Sequence, residues 1–67
     1  MSADKIKSEF KTAPKGVSHI LGTALRDTGF SISDDEVRAE TERLLKGGEV
    51  KSGASRAISN WLKYGFG

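Results

Sequence analysis

Apolar residues recur along this chain at helical rather than strand spacing. Ala54, Ala57, Ile58, Trp61 and Leu62 fall at relative positions 0, 3, 4, 7 and 8, and Val17, Ile20, Leu21, Ala24 and Leu25 repeat that spacing. Each set marks one face of an α-helix, about 100° wide. A third face, Val37, Thr41, Leu44 and Leu45, is narrower and follows a strong start signal. Ser33 with Glu36 three residues later makes a capping box, and Ile32 with Val37 makes a hydrophobic staple. Asp34, Asp35 and Glu36 put negative charge on the positive end of that helix, and Gly47-Gly48 stops it. The pattern predicts main helices at roughly 16–28, 34–46 and 54–64.

The N-terminal stretch is less decided. Ser2 is a cap candidate, and Ala3, Ile6 and Phe10 fall at 0, 3 and 7. A helix this short is marginal alone, so it forms only if Ile6 and Phe10 dock on the rest. The alternative is a lysine-rich arm ordered on binding. Pro14 suits a first helical turn, and Gly29 suits the residue just past a helix end. Gly22 costs about 1 kcal/mol against alanine inside a helix. With Ser18 it forms a strip of small residues on which another helix can pack closely. Phe30-Ser31-Ile32 alternates and leaves room for a single β-bridge. Ser52 or Gly53 is the expected cap of the last helix, and Phe66 beyond Gly65 is placed to fold back on its final turn.

The resulting expectation is an all-α fold. It comprises an arm or short fourth helix over 1–15 and a three-helix domain over 16–67. The expected core is Val17, Ile20, Leu21, Leu25, Phe30, Val37, Leu44, Leu45, Ile58, Trp61 and Leu62, with Trp61 as its anchor.

Size and composition narrow the chemistry. A 67-residue chain is one domain at most and buries only about 60% of its unfolded surface, so self-association is the expected supplement to a thin core. With no cysteine, disulfides, thiolate metal sites and a cysteine nucleophile are excluded. The single histidine, His19, cannot build a zinc site without gathered carboxylates. No metal or cofactor is expected. No apolar run nears the ~18–20 residues of a membrane span, and no apolar segment follows the first lysines as in a signal peptide. A cytoplasmic location without membrane contact is expected.

The net charge of +2 is unevenly spread. Residues 1–15 carry four lysines against Asp4 and Glu9, and residues 32–49 carry three cations against six acids. Residues 50–67 carry Lys51, Arg56 and Lys63 with no acid. Two basic ends flanking an acidic middle point to an anionic partner or to contact between ends and middle.

Most candidate chemistry is weak. The segment Asp27–Glu36 has some features of a calcium loop, but with Glu36 as its last ligand the first ligand position falls on Leu25, which offers no oxygen. His19 has no sequence partners arranged for nucleophilic catalysis, and Gly47-Gly48 lacks the following lysine and hydroxyl of a phosphate loop. No catalytic residue is expected, and the chain is read as non-enzymatic.

The last helix is different. Its polar face, Ser55, Arg56, Ser59, Asn60 and Lys63, is free of acids and rich in groups that donate to phosphates and base edges. The stretch Ser55-Arg56-Ala57-Ile58-Ser59-Asn60-Trp61-Leu62-Lys63 resembles the recognition helix of helix-turn-helix proteins. That resemblance implies DNA binding through the polar face of this helix, and the candidate nucleic-acid-binding residues are Arg56, Ser59, Asn60, Lys63 and the nearby cation Lys51. The chain departs from the compact motif, whose turn takes about 3–4 residues. Gly47–Ser52 is longer, Lys51 stands where an apolar residue belongs, and the preceding helix carries Glu40 and Glu42. The competing expectation is a protein-interaction module (an adaptor, inhibitor or regulatory subunit) using Trp61, Tyr64 and Phe66, since aromatic residues dominate interface energetics.

Overall fold

The computed structural model describes residues 1–66. Four helices follow one another: α1 (Ala3–Thr12), α2 (Pro14–Asp27), α3 (Asp34–Leu45) and α4 (Gly53–Tyr64). Among the described residues there is no strand, and Phe30-Ser31-Ile32 is an irregular connector without the β-bridge its alternation allowed. The helices close a ring: α1 packs on α2, α2 on α3, α3 on α4, and α4 on α1.

The N-terminal stretch is a packed helix. Ser2 caps it by accepting the Lys5 N–H at 3.2 Å. Ile6 and Phe10 are buried in the common core. Burying each stabilises by about 1.5–3 kcal/mol, which holds a helix too short to persist alone. One residue, Ala13, joins α1 to α2. Its N–H donates to the Glu9 carbonyl at 2.7 Å, and its own carbonyl accepts the Val17 N–H at 3.1 Å. Pro14 then opens α2, two residues ahead of the expected start.

Both ends of α3 are closed as its sequence requires. Ser33 and Glu36 exchange reciprocal hydrogen bonds at 3.2 Å each. At the other end Gly48 N–H donates to the Arg43 carbonyl at 2.9 Å and Gly47 N–H to the Leu44 carbonyl at 3.1 Å. Gly47 takes φ 92°, the left-handed conformation that closes this Schellman motif and that favours glycine.

The core is Ile6, Phe10, Val17, Leu21, Leu25, Val37, Ala54, Ile58 and Leu62, with Ile32, Leu44, Ala57, Trp61 and Phe66 packed around it. Five expected core members differ, Leu44 only in being half-buried against the core. Ile20 is 43% exposed, Leu45 40% and Phe30 36%. Trp61 is half-buried at the edge. The cause at Ile20 is the rotation of α2. Ser18 and Gly22 are buried where α3 approaches, so the inward arc runs through Val17, Leu21, Leu25 and these small residues, leaving Ile20 on the outer edge. Leu45 lies on the last turn of α3, beyond the reach of the core. The Phe30 ring instead covers the start of α4 at Gly53, where an added Cβ would meet it at 3.1 Å. Ile58 and Leu62 anchor α4 in place of Trp61.

Three polar side chains are buried: Ser18, Thr41 and Ser55. Thr41 Oγ1 donates to the Val37 carbonyl one turn back at 2.7 Å. Ser55, expected on the outer polar face, closes a second capping box. Its Oγ accepts the N–H groups of Lys51 (2.9 Å) and Ser52 (2.8 Å) and donates to the Ser52 carbonyl (3.0 Å), while Ser52 Oγ accepts the Ser55 N–H (3.2 Å).

Candidate nucleic-acid interface

On α4 the arc opposite the core presents Arg56, Asn60, Lys63 and Tyr64, all exposed. Arg56, Asn60 and Lys63 are spaced four and three residues apart, so they line up along the helix. Ser59 is half-buried on the flank of this stripe. Lys51 is exposed but lies toward α3, close enough to Glu40 to help lower its pKa. The structure thus groups Arg56, Asn60 and Lys63 and puts Ser59 at their side, while Lys51 precedes the helix, its N–H bonded to Ser55 and its charge near Glu40.

The ring closure adds what the sequence pattern could not supply. Because α1 packs on α4, the two basic chain ends become neighbours. Lys7 of α1 shares a groove with Ser59 and Lys63 of α4. Finding Lys7 required knowing that residues more than fifty positions apart meet, and no local signal carries that.

The cations divide into two kinds. Arg26 pairs with Asp34 at 2.9 Å, Arg43 with Glu40 at 2.8 Å and Arg38 with Glu42 at 3.4 Å, all on α2 and α3. Among the described residues no lysine, and not Arg56, has a carboxylate within ion-pair distance. The paired groups respond electrostatically. Asp34 is held below the usual carboxylate range, first by the His19 hydrogen bond and then by the Arg26 guanidinium. The Arg43 hydrogen bond lowers Glu40, and Glu40 in turn raises Arg43.

Asp34 is the centre of a clip between α2 and α3. His19 Nδ1 lies 2.9 Å from its Oδ2 and Arg26 Nη1 2.9 Å from its Oδ1, while that same Nη1 directs an N–H to the Ile32 carbonyl at 3.0 Å. Gly22 makes the approach feasible, since a Cβ there would stand 2.7 Å from Asp34 Oδ1. A histidine oriented by a carboxylate is half of a nucleophile-activating arrangement. Among the described residues no hydroxyl is hydrogen-bonded to the His19 ring, and the His19–Asp34 contact joins α2 to α3.

The aromatic residues of the alternative interface are unequal. Trp61 and Phe66 pack edge to face with ring centroids 5.1 Å apart, both half-buried against the core. Phe66 is further tied by its N–H, which donates to the Met1 carbonyl at 2.7 Å. Tyr64 stands 82% exposed. No helix is long and apolar enough to cross a membrane, and among the described residues no group of three His, Cys, Asp or Glu side chains is placed to hold a metal. Comparison with protein-family models, with curated proteins and with solved structures finds no match to this chain.

Proposed function

We infer that the chain is a non-enzymatic binding module whose α4 stripe, extended by the lysines of α1, takes nucleic acid. The observation that carries this reading is the division of the cations. The arginines of α2 and α3 are neutralised by neighbouring carboxylates, whereas Arg56, Lys63 and Lys7 are unpaired on adjacent helices. Unpaired surface cations release condensed counterions when they meet phosphates, which is the main source of non-specific affinity. Asn60 between Arg56 and Lys63 adds a side chain able to pair with adenine. The seven residues between α3 and α4 exceed the compact helix-turn-helix connection, so the reading rests on the stripe and not on that motif.

The test is anisotropy of a labelled random-sequence duplex across salt concentrations. Affinity should fall steeply with salt, and Arg56→Ala/Lys63→Ala should weaken binding about tenfold while reducing the log–log salt slope by about 2. Absence of binding at low salt, or an unchanged slope in the double variant, removes the reading.

A second reading, a protein partner at the C-terminal aromatics, is supported by the exposure of Tyr64. It requires that Tyr64→Ala lower affinity for that partner with little dependence on salt.

A further inference from the structure

The loop between α3 and α4 and the last turn of α3 leave apolar surface uncovered on the side facing α1. A groove of about 390 Å³ runs there, its floor made by Leu44, Leu45, Val50 and Leu62 and its walls carrying Lys7 and Lys63. Leu45 is also shared with an adjoining hollow of about 350 Å³, which reaches Phe10 and Pro14 and carries Lys11 and Lys46. Leu45 and Val50 are among the most exposed large apolar residues of the chain. Among the residues lining the two hollows the one carboxylate, Glu42, is paired with Arg38, while Glu49 stands exposed in the loop between Gly48 and Val50. Lys7, Lys11, Lys46 and Lys63 have no ion-pair partner among the described residues. An apolar floor is therefore framed by four lysines that have no ion-pair partner among the described residues.

We propose that this groove docks an acidic amphipathic helix of a protein partner, with apolar side chains on Leu45 and Val50 and carboxylates toward the lysines. Charge complementarity selects the occupant. A nucleic-acid duplex satisfies the lysines but offers the floor nothing apolar of matching shape. A flat bilayer favours apolar residues that protrude, and Leu45 and Val50 each bury more than half of their surface beside lysine-bearing walls. A helix presenting two or three apolar side chains on one face and acids on its borders meets both demands at once. The groove shares Lys7 and Lys63 with the proposed nucleic-acid face, but its apolar floor lies apart from Arg56 and Asn60, so Val50→Asp and Arg56→Ala separate the two readings.

The probe is a labelled peptide of about 18 residues, built from Glu, Ala and Leu with leucines at helical a and d positions. Its control has the same composition with the leucines spread around the helix. The full chain should bind the amphipathic peptide and bind the control about tenfold more weakly. Val50→Asp, a loop substitution, should cost about tenfold in affinity with the helical signal and melting temperature retained. Lys7→Ala/Lys63→Ala should weaken binding and flatten its salt dependence, and Arg56→Ala should leave it unchanged. Three results overturn the proposal: equal binding of the two peptides, absence of binding up to millimolar concentration, or full affinity in Val50→Asp. Should random-sequence duplex DNA or phosphatidylserine vesicles, and not the peptide, bind in a Val50-dependent way, the groove serves that ligand and the proposal fails.

Discussion

Where α2 meets α3, charged side chains work as fasteners: Asp34 is gripped by His19 and Arg26 over the bare backbone of Gly22. Where α4 meets α1, Ile6, Phe10, Ile58 and Leu62 supply apolar contact instead, and the lysines above them are unengaged. The first seam lets two helices approach closely but neutralises its charges. The second leaves its charges unpaired and depends on side-chain volume for cohesion. One small domain thus separates internal electrostatics from external electrostatics by placing them on opposite sides of a ring.

The sharpest way to break the second seam is Ile6→Ala. Ile6 is fully buried, and such a truncation costs about 2–5 kcal/mol. That is a large share of the about 5 kcal/mol available to a weakly stable domain. Thermal melting followed by circular dichroism should show a broad, early transition or none.

The two capping boxes sharpen the comparison at smaller scale. Removing a serine cap costs about 1 kcal/mol. Ser52→Ala should exceed Ser33→Ala, because Ser52 Oγ serves the buried Ser55, whereas the Ser33–Glu36 box is exposed. Denaturant midpoints of the two variants test the order.

Asp34→Asn addresses the first seam through pH. The folded pKa of Asp34 lies below its ordinary value of 3.8. The stabilisation is therefore complete above that value and is lost as pH falls from it toward the lower folded pKa. The wild-type chain should lose stability through this acid window more steeply than Asp34→Asn, and urea melts at stepped pH measure the difference.

Gly22→Ala should have the smallest effect. It gains about 1 kcal/mol of helix propensity, and this is offset because the new Cβ pushes the Asp34 carboxylate and the Arg26 guanidinium aside. The net melting temperature should barely move, while the acid limb flattens as it does in Asp34→Asn. A large stabilisation with the limb intact would show that the clip contributes nothing.

Much of this architecture is legible in local sequence. The α3 boundaries follow from Ser33, Glu36 and Gly47, since caps act within a few residues. The strip of Ser18 and Gly22 correctly marks a close helix approach, yet Ile20 is misplaced by the same reading. A hydrophobic stripe says that a helix has an inner face, and the neighbour's distance decides how that face is rotated. Ser55 misleads for a related reason. Its residue type suits a solvated stripe, but its oxygen is drawn inward by the N–H groups of Lys51 and Ser52. On the candidate site, Arg56, Asn60 and Lys63 share a stripe by helical arithmetic alone. The groove with Lys7, Val50 and Leu45 depends on a long-range contact that no periodicity encodes.

The order in which the ring closes has a kinetic consequence. Three of its four seams join helices adjacent in sequence, and only α1–α4 spans the chain. Local seams form quickly, whereas the end-to-end seam must close the longest loop and forms late. Substitutions at Ile6 or Phe10 should therefore accelerate unfolding more than they slow refolding, and those at Val37 or Leu21 should do the reverse. On that order the basic face shared by α1 and α4 should be the last surface assembled and the first to come apart, which stopped-flow rates of the Ile6 and Leu21 variants measure.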